Sequence, residues 1–92
     1  MNDNLKKYIV EFFGTLLLTF VILATGNWLA IGAALAIGSY FGGSISGGAF
    51  NPAVALAYMA CNKITTAHVV PYIVFEIAGA LVAYQLYKIM KK

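Results

Sequence analysis

The stretch SISGGAFNPAV, residues 44–54, sets two adjacent glycines and an Asn–Pro pair inside a strongly apolar chain. Glycine is costly in a helix interior, and the run over 42–50 is rich enough in glycine to predict a loop. Asn51 offers a side-chain oxygen that can cap a new helix, and Pro52 suits the first helical position because its missing N–H is not needed there. The stretch therefore predicts a break in the apolar chain followed by a fresh helix start.

The composition indicates an integral membrane protein, although it does not say which membrane. The chain is 62% hydrophobic and 10% charged, with a mean hydropathy of +0.85. A soluble domain of 92 residues needs more polar surface to cover its core. The charges cluster at the two ends and in one short polar patch, and only Glu11 and Glu76 fall inside apolar runs.

The same composition excludes several functions. The pI of about 9.1 comes from six lysines at helix ends, without the basic face and interleaved aromatics of a nucleic-acid-binding surface. No nucleophile–base pair and no cluster of metal ligands is spaced for chemistry. We therefore expect no catalytic residue, no metal, no cofactor and no enzymatic activity.

Three apolar segments are long enough to be considered as membrane crossings. They cover about 8–25, 28–41 and 67–87. At ~1.5 Å per residue, a segment of about 20 residues crosses a hydrocarbon core of ~30 Å. The Gly-Asn pair between the first two segments predicts a very tight turn.

The remaining segment, about 42–61, predicts a re-entrant loop and half-helix. Its helical part, 52–61, extends only ~15 Å, which is half of a membrane. The polar patch 62–66 that follows must then return to the face from which the chain entered. Irregular backbone at membrane depth is tolerated only where protein buries it or water wets it, so this layout indicates a water-lined path.

Small residues recur at every fourth position in two of these segments, which allows close helix packing in a membrane. In the second crossing they are Ala30, Ala34, Gly38 and Gly42, and in the half-helix they are Ala53, Ala57 and Cys61.

Three motifs together carry a family resemblance. They are EFFGTLLLTF over 11–20, SGGAFNPAV over 46–54 and PYIVFEIAGALVAY over 71–84. In this order and spacing they resemble the first half of an aquaporin, of the major intrinsic protein family. The resemblance covers nearly the whole chain. It implies an all-α membrane protein in which 1–92 form one half-aquaporin domain of three transmembrane helices and a re-entrant half-helix.

The resemblance also implies a partner. Family members hold two such halves, related by a two-fold axis in the membrane plane, whose half-helices meet end to end. One half-helix of ~15 Å cannot cross ~30 Å, so we expect an inverted second copy in an antiparallel homodimer. Family members commonly assemble four pores, so the resemblance also implies clustering into a tetramer of pores. Each face carries three lysines: Lys6, Lys7 and Lys63 on one, and Lys88, Lys91 and Lys92 on the other. Since lysine bias sets orientation, this balance favours insertion in both directions.

The implied function is a passive channel for water, with small neutral solutes such as glycerol as further candidates. In such a pore Asn51 of each copy donates from its amide at the centre, while backbone carbonyls accept along the path. The resemblance assigns to this path Asn51, Pro52 and Ala53, together with Gly47, Gly48, Ala49 and Phe50.

Departures from the family pattern bear on selectivity. Alignment by spacing to Asn51 places Ile31, Ser39, Gly48 and Val54 at the constriction. Val54 stands where the second loop of full-length channels usually has arginine, and Ala49 stands where many first halves have histidine. We expect a wider and less polar constriction with weaker cation exclusion.

Two carboxylates inside apolar runs complete the site. Glu11 stands where family members brace the re-entrant loop through its backbone N–H groups. Glu76 stands where glutamine is common in first halves, and we group it with Glu11 as a loop-bracing residue. Carboxylates in hydrocarbon need partners, and a proton relay is the competing interpretation of the pair.

Two alternatives to a homodimeric channel remain open. One is a non-conducting half-channel module or a partner for a separate second-half protein. The other is a small ion-coupled transporter of dual topology that uses Glu11 or Glu76. His68, close to the start of the third crossing, is expected to be an interfacial residue.

Overall fold

The computed structural model describes residues 1–91, so Lys92, counted above among the lysines of one face, lies outside the described residues. The four helices are α1 (Asp3–Thr25), α2 (Trp28–Ser46), α3 (Pro52–Ala60) and α4 (Thr66–Met90). Helices α1, α2 and α4 are long and apolar enough to cross a membrane. No strand occurs within the described residues. The all-α membrane fold with three long helices and one short helix, α3, is confirmed.

The connection between α1 and α2 is the tight turn that the Gly-Asn pair predicts. Gly26 ends α1 in the left-handed region with φ of 54°, and its N–H donates to the Ile22 carbonyl at 3.0 Å. The Asn27 side chain then caps α2 by accepting from the N–H groups of Leu29 at 3.0 Å and Ala30 at 2.9 Å. Two adjacent residues therefore end one helix and begin the next.

Helix α2 is longer than its sequence suggests. The prediction that it ends near residue 41, with 42–50 entirely in a loop, is wrong, because residues 42–46 are helical. Gly42 allows close helix packing: an ideal Cβ there would lie 2.7 Å from Val10 Cγ1 of α1. The helix ends one turn later at Gly47, which has a φ of 87° and donates to the Gly43 carbonyl at 3.0 Å.

Helix α1 is the centre of the packing. It lies against α2 on one side and α4 on the other, while α3 packs on α4 and makes no close contact with α2. The α1–α4 contact is tight because a Cβ on Gly79 would collide with the Phe12 carbonyl oxygen. Helices α2 and α3 are therefore not packed on each other.

Helix α3 begins near the middle of the membrane-spanning helices. The backbone of Asn51 lies beside Glu76, close to the midpoint of α4. Asn51 also lines a cavity with Thr15, close to the midpoint of α1. Lys7 and Lys63 line one cleft, so the chain returns after α3 to the face where α1 begins. These contacts describe a re-entrant half-helix.

The small-residue positions have different surroundings. Ala34 and Gly42 are buried on the side of α2 that packs against α1. Within the chain, α3 packs through Ala55, which is fully buried, and the residues at its predicted small-residue positions are exposed. These exposed residues are Ala53, Ala57 and Cys61.

Candidate functional site

The loop that joins α2 to α3 depends on left-handed backbone. Gly47 has a φ of 87° and Gly48 a φ of 64°, which glycine adopts without steric cost. Phe50 has a φ of 54°, a conformation that costs a non-glycine residue about 1 kcal/mol or more. The surrounding contacts must therefore hold Phe50 in place.

The Phe50 side chain supplies the first of these contacts. Its ring is 3% exposed and fills a pocket between α1 and α2 that is walled by glycines. A Cβ on Gly14 would collide with the ring, and a Cβ on Gly38 or Gly42 would lie 3.1 or 3.2 Å from it. The ring fits only because these helix positions lack side chains.

Glu11 supplies the second contact. It is fully buried, and its Oε1 accepts from the Phe50 N–H at 2.8 Å. Its Oε2 accepts from the Ala49 N–H at 3.2 Å and from the Ser46 hydroxyl at 2.5 Å. Hydrogen bonds to an ionised carboxylate are about twice as strong as neutral ones. Three donors thus surround one carboxylate and connect α1 to the loop.

Three hydroxyl groups that the sequence pattern does not reveal complete the bracing. The Ser46 hydroxyl also accepts from the Gly48 N–H at 3.1 Å. Tyr72 donates to the Ser46 carbonyl at 2.6 Å, and Tyr58 donates to the Gly47 carbonyl at 2.9 Å. A hydroxyl group within an apolar helix is the sequence signal that could have identified these residues. Loop backbone at membrane depth needs hydrogen-bond partners, and such hydroxyl groups can supply them.

The loop carbonyls differ in whether they already accept a hydrogen bond. The Gly47 carbonyl already accepts from Tyr58. The carbonyls of Gly48, Ala49 and Phe50 receive no hydrogen bond from any residue in 1–91. Three successive carbonyls are therefore without a donor in this part of the chain, although Ala49 and Phe50 are buried as residues.

The start of α3 presents donors. Asn51 caps the helix, its Oδ1 accepting from the Ala53 N–H at 2.7 Å, and Pro52 occupies the first helical position. The Asn51 side chain is exposed, and its amide N–H groups make no hydrogen bond within the described chain. A helix N-terminus carries about half an elementary positive charge. Donors and positive potential thus meet beside the acceptor carbonyls.

The four residues aligned with the constriction are not brought together in one chain. Ile31 lies in the first turn of α2, and Ser39 lies eight residues later, ~12 Å along the helix axis. Gly48 approaches Gly43, one turn beyond Ser39. Val54 is exposed on α3, which does not contact α2. Ser39 and Gly48 therefore lie toward the C-terminal end of α2, Ile31 lies at its N-terminal end, and Val54 lies on a helix that does not pack on α2.

Glu76 has surroundings unlike those of Glu11. It is fully buried beside Glu11 and the Asn51 backbone, yet neither carboxylate oxygen has a hydrogen-bond partner within residues 1–91. The Thr15 hydroxyl is buried and also lacks a partner there. Glu76 therefore meets the loop only at the Asn51 backbone, and the bracing hydrogen bonds go to Glu11. His68, near the start of α4, lies 2.8 Å from the Tyr8 hydroxyl through its Nδ1.

Comparison with known proteins identifies the family. The model of the major intrinsic protein family matches residues 23–92. The chain belongs to this family. The resemblance in the three sequence motifs is confirmed, and the fold is that of a half-aquaporin unit in the membrane.

Curated relatives within the major intrinsic protein family have two kinds of name. The glycerol uptake facilitator protein-like 6 of Lactiplantibacillus plantarum is 42% identical over 86% of the chain and 41% of the relative. The aquaporin Z of Brucella melitensis biotype 1 is 37% identical over 86% of the chain and 41% of the relative. The aquaporin-10 of Milnesium tardigradum is 38% identical over 90% of the chain and 22% of the relative.

The chain thus spans less than half the length of these curated relatives. No solved structure matches it significantly.

Proposed function

We propose that the chain forms a passive membrane channel for water and small neutral solutes such as glycerol. The observation that carries this proposal is the start of α3. An exposed Asn51 amide and a helix N-terminus lie beside three unpaired loop carbonyls, near the midpoint of the long helices α1 and α4. Relatives named aquaporin and glycerol uptake facilitator support these two substrates.

The pore we propose lies between this unit and an inverted copy of the same chain. Helix α3 has 9 residues and extends ~14 Å, so it covers half of a ~30 Å hydrocarbon core. The exposed Ala53, Ala57 and Cys61 leave α3 open to close contact with a second helix. Three lysines on each face allow both orientations to insert.

Water passage follows from the polar groups at the centre of this dimer. A water molecule there accepts hydrogen bonds from the Asn51 amides of both copies through its oxygen. Its hydrogens then point outward to the carbonyls of Gly48, Ala49 and Phe50. This orientation interrupts the chain of donors that proton hopping requires. Two converging helix N-termini add an electrostatic barrier to protons and cations.

Selectivity in the proposed dimer depends on residues from both copies. Ile31 of one copy joins Ser39, Gly48 and Val54 of the other, because inversion reverses the direction of α2 across the membrane. Val54 contributes no charge and little bulk. The constriction therefore admits a small polyol, and cation exclusion rests mainly on the helix N-termini.

Osmotic measurements on liposomes test the channel. Vesicles containing the chain should shrink faster than empty vesicles in an impermeant osmolyte and re-swell faster in glycerol. Asn51→Asp is the matched variant, since aspartate caps a helix as well as asparagine does but lacks the amide donor. It should insert and fold normally with altered permeation. If wild-type vesicles shrink no faster than empty ones, the channel is excluded and a non-conducting module is favoured.

The single cysteine tests the inverted pairing. Cys61 is exposed at the end of α3, near one membrane face. A membrane-impermeant thiol reagent added outside sealed vesicles should label about half of the chains if both orientations insert equally. In a Cys61→Ser background, Ala53→Cys should form a disulfide between copies near the midplane. Labelling from one side only, without that disulfide, contradicts the homodimer and favours a separate second-half partner.

A further inference from the structure

The Glu11 and Glu76 carboxyl groups form an unusual pair. Both residues are fully buried, and they lie beside each other where α1 and α4 pack. The hydrogen bonds around them are unequally shared. Glu11 accepts three, whereas neither oxygen of Glu76 has a partner within the described chain. The donors present therefore accommodate one negative charge and leave the second without a partner.

No cationic side chain in residues 1–91 offsets the second charge. On α4, Tyr72 precedes Glu76 by one helical turn, and its hydroxyl donates to the Ser46 carbonyl. On α1, the neighbour is Glu11 itself, and the loop contributes only the Asn51 backbone. The N-terminus of α3 adds roughly half a positive charge, which offsets the second carboxylate only in part. Two ionised carboxylates are not stable together in such surroundings.

A second polar group points to a ligand at this place. The Thr15 side chain is 5% exposed, and its hydroxyl has no partner among residues 1–91. Thr15 follows Glu11 by one helical turn, so both lie on the same face of α1. Thr15 and Glu76 line a cavity of about 320 Å³ that also touches Asn51 and Pro52. The carboxyl pair is therefore connected to the proposed water path at the start of α3.

We propose that Glu11 and Glu76 bind one monovalent cation between them, with the Thr15 hydroxyl beside it. A proton fits this site without any further ligand, because one carboxyl group can share it with the other as a hydrogen bond. A sodium ion is the alternative occupant, because it carries the same charge and can take the carboxylate and hydroxyl oxygens as ligands. The site exists in the single chain, so it does not depend on the proposed channel activity.

Occupancy of the site acts on the loop through Glu11. With the cation bound, the pair carries one net negative charge, which the three donors to Glu11 stabilise. Without it, two like charges face each other across the α1–α4 contact. Their repulsion displaces Glu11 from the N–H groups of Ala49 and Phe50. Loss of the cation should therefore loosen the re-entrant loop.

Infrared spectroscopy of the reconstituted chain tests the proposal directly, because the chain has only three acidic side chains, those of Asp3, Glu11 and Glu76. A protonated carboxylic acid has a carbonyl stretching band that a carboxylate lacks. We expect this band in the wild type at neutral pH, complete loss of it in Glu76→Gln, and no change in Asp3→Asn. Circular dichroism checks that Glu76→Gln retains its helices, and the wild-type band is informative without the variant.

Sodium is distinguished by ion replacement. If the band is absent in sodium buffer and appears when choline replaces sodium, the cation is sodium and the two-carboxyl site is supported. Absence of the band in both buffers means that both carboxylates are ionised without a bound cation, which overturns the proposal. A band that persists in Glu76→Gln places the proton on Glu11 alone and also overturns it. None of these outcomes depends on water permeability.

Discussion

The two ends of the re-entrant segment differ in how completely the chain satisfies them. At the loop, Glu11, Ser46 and Tyr72 pair with one another or with loop backbone, and all three are buried. At the start of α3, Asn51 and Ala53 are exposed, and α3 does not pack on α2. The side chains that brace the loop are thus paired within one chain, whereas the Asn51 amide at the start of α3 has no hydrogen-bond partner there. Stability and function should therefore respond to different substitutions.

The largest expected effect is on the loop side. Glu11→Ala removes the acceptor of three hydrogen bonds and leaves buried donors unpaired. At about 1–3 kcal/mol for each such group, we expect the free energy of unfolding to fall by roughly 3–5 kcal/mol. Denaturant unfolding in mixed micelles, followed by circular dichroism, measures the change. Asp3→Asn, at an exposed carboxyl group, is the control and should change stability little. A loss below about 1 kcal/mol for Glu11→Ala would mean that the loop is held in another way.

The next effect concerns the glycine pocket of Phe50. Gly14→Ala introduces a Cβ that collides with the ring, and we expect a loss of about 1–3 kcal/mol from overpacking. Gly32→Ala, on α2 with no atom near its Cβ position, is the matched control. It should stabilise the helix by ~0.5–1 kcal/mol. Thermal unfolding of both variants makes the comparison. Equal effects would show that helix propensity, and not the Phe50 contact, determines the response.

Two alanines on α3 separate the packed face of the half-helix from its open face. Ala55 is fully buried against α4, and Ala57 is exposed. Ala55→Leu should lower the free energy of unfolding by ~1–3 kcal/mol, while Ala57→Leu should change it by less than ~0.5 kcal/mol. Ala57→Leu should nevertheless reduce water permeability, because it adds bulk where the proposed inverted copy packs. Chain unfolding and liposome shrinkage are measured for each variant. Normal permeability in Ala57→Leu contradicts a partner on this face.

The features that the sequence predicts correctly are those set by neighbouring residues. The Gly26–Asn27 turn and the Asn51 cap follow from residues within one helical turn, so local rules suffice. The predicted end of α2 is wrong because Gly42 allows close contact with Val10, a residue far away in sequence. The Tyr72 brace reaches the Ser46 carbonyl across 26 residues, so no local pattern reveals it. The Asn-Pro motif of the site could thus be predicted from the sequence, whereas the side chains that brace the loop could not.

The smallest expected change in stability, with a large change in function, is at Asn51. Asn51→Ser retains a capping oxygen for α3 but removes the amide donors. We expect the free energy of unfolding to stay within ~0.5 kcal/mol of wild type, since the caps are nearly equivalent. Water permeability should fall toward that of empty vesicles, because the proposed central donors are gone.

Asn51→Ala separates the two roles of this residue. It removes both the cap and the amide, so it should lose about 1 kcal/mol of stability in addition to permeability. The loop contacts of Glu11 and Phe50 remain in both variants, so the fold of the unit should persist. If Asn51→Ser conducts water as well as wild type while Asn51→Ala does not, then the cap matters and the amide does not. The start of α3 would then belong with the loop as a purely structural element, and the difference between the two ends of the re-entrant segment would disappear.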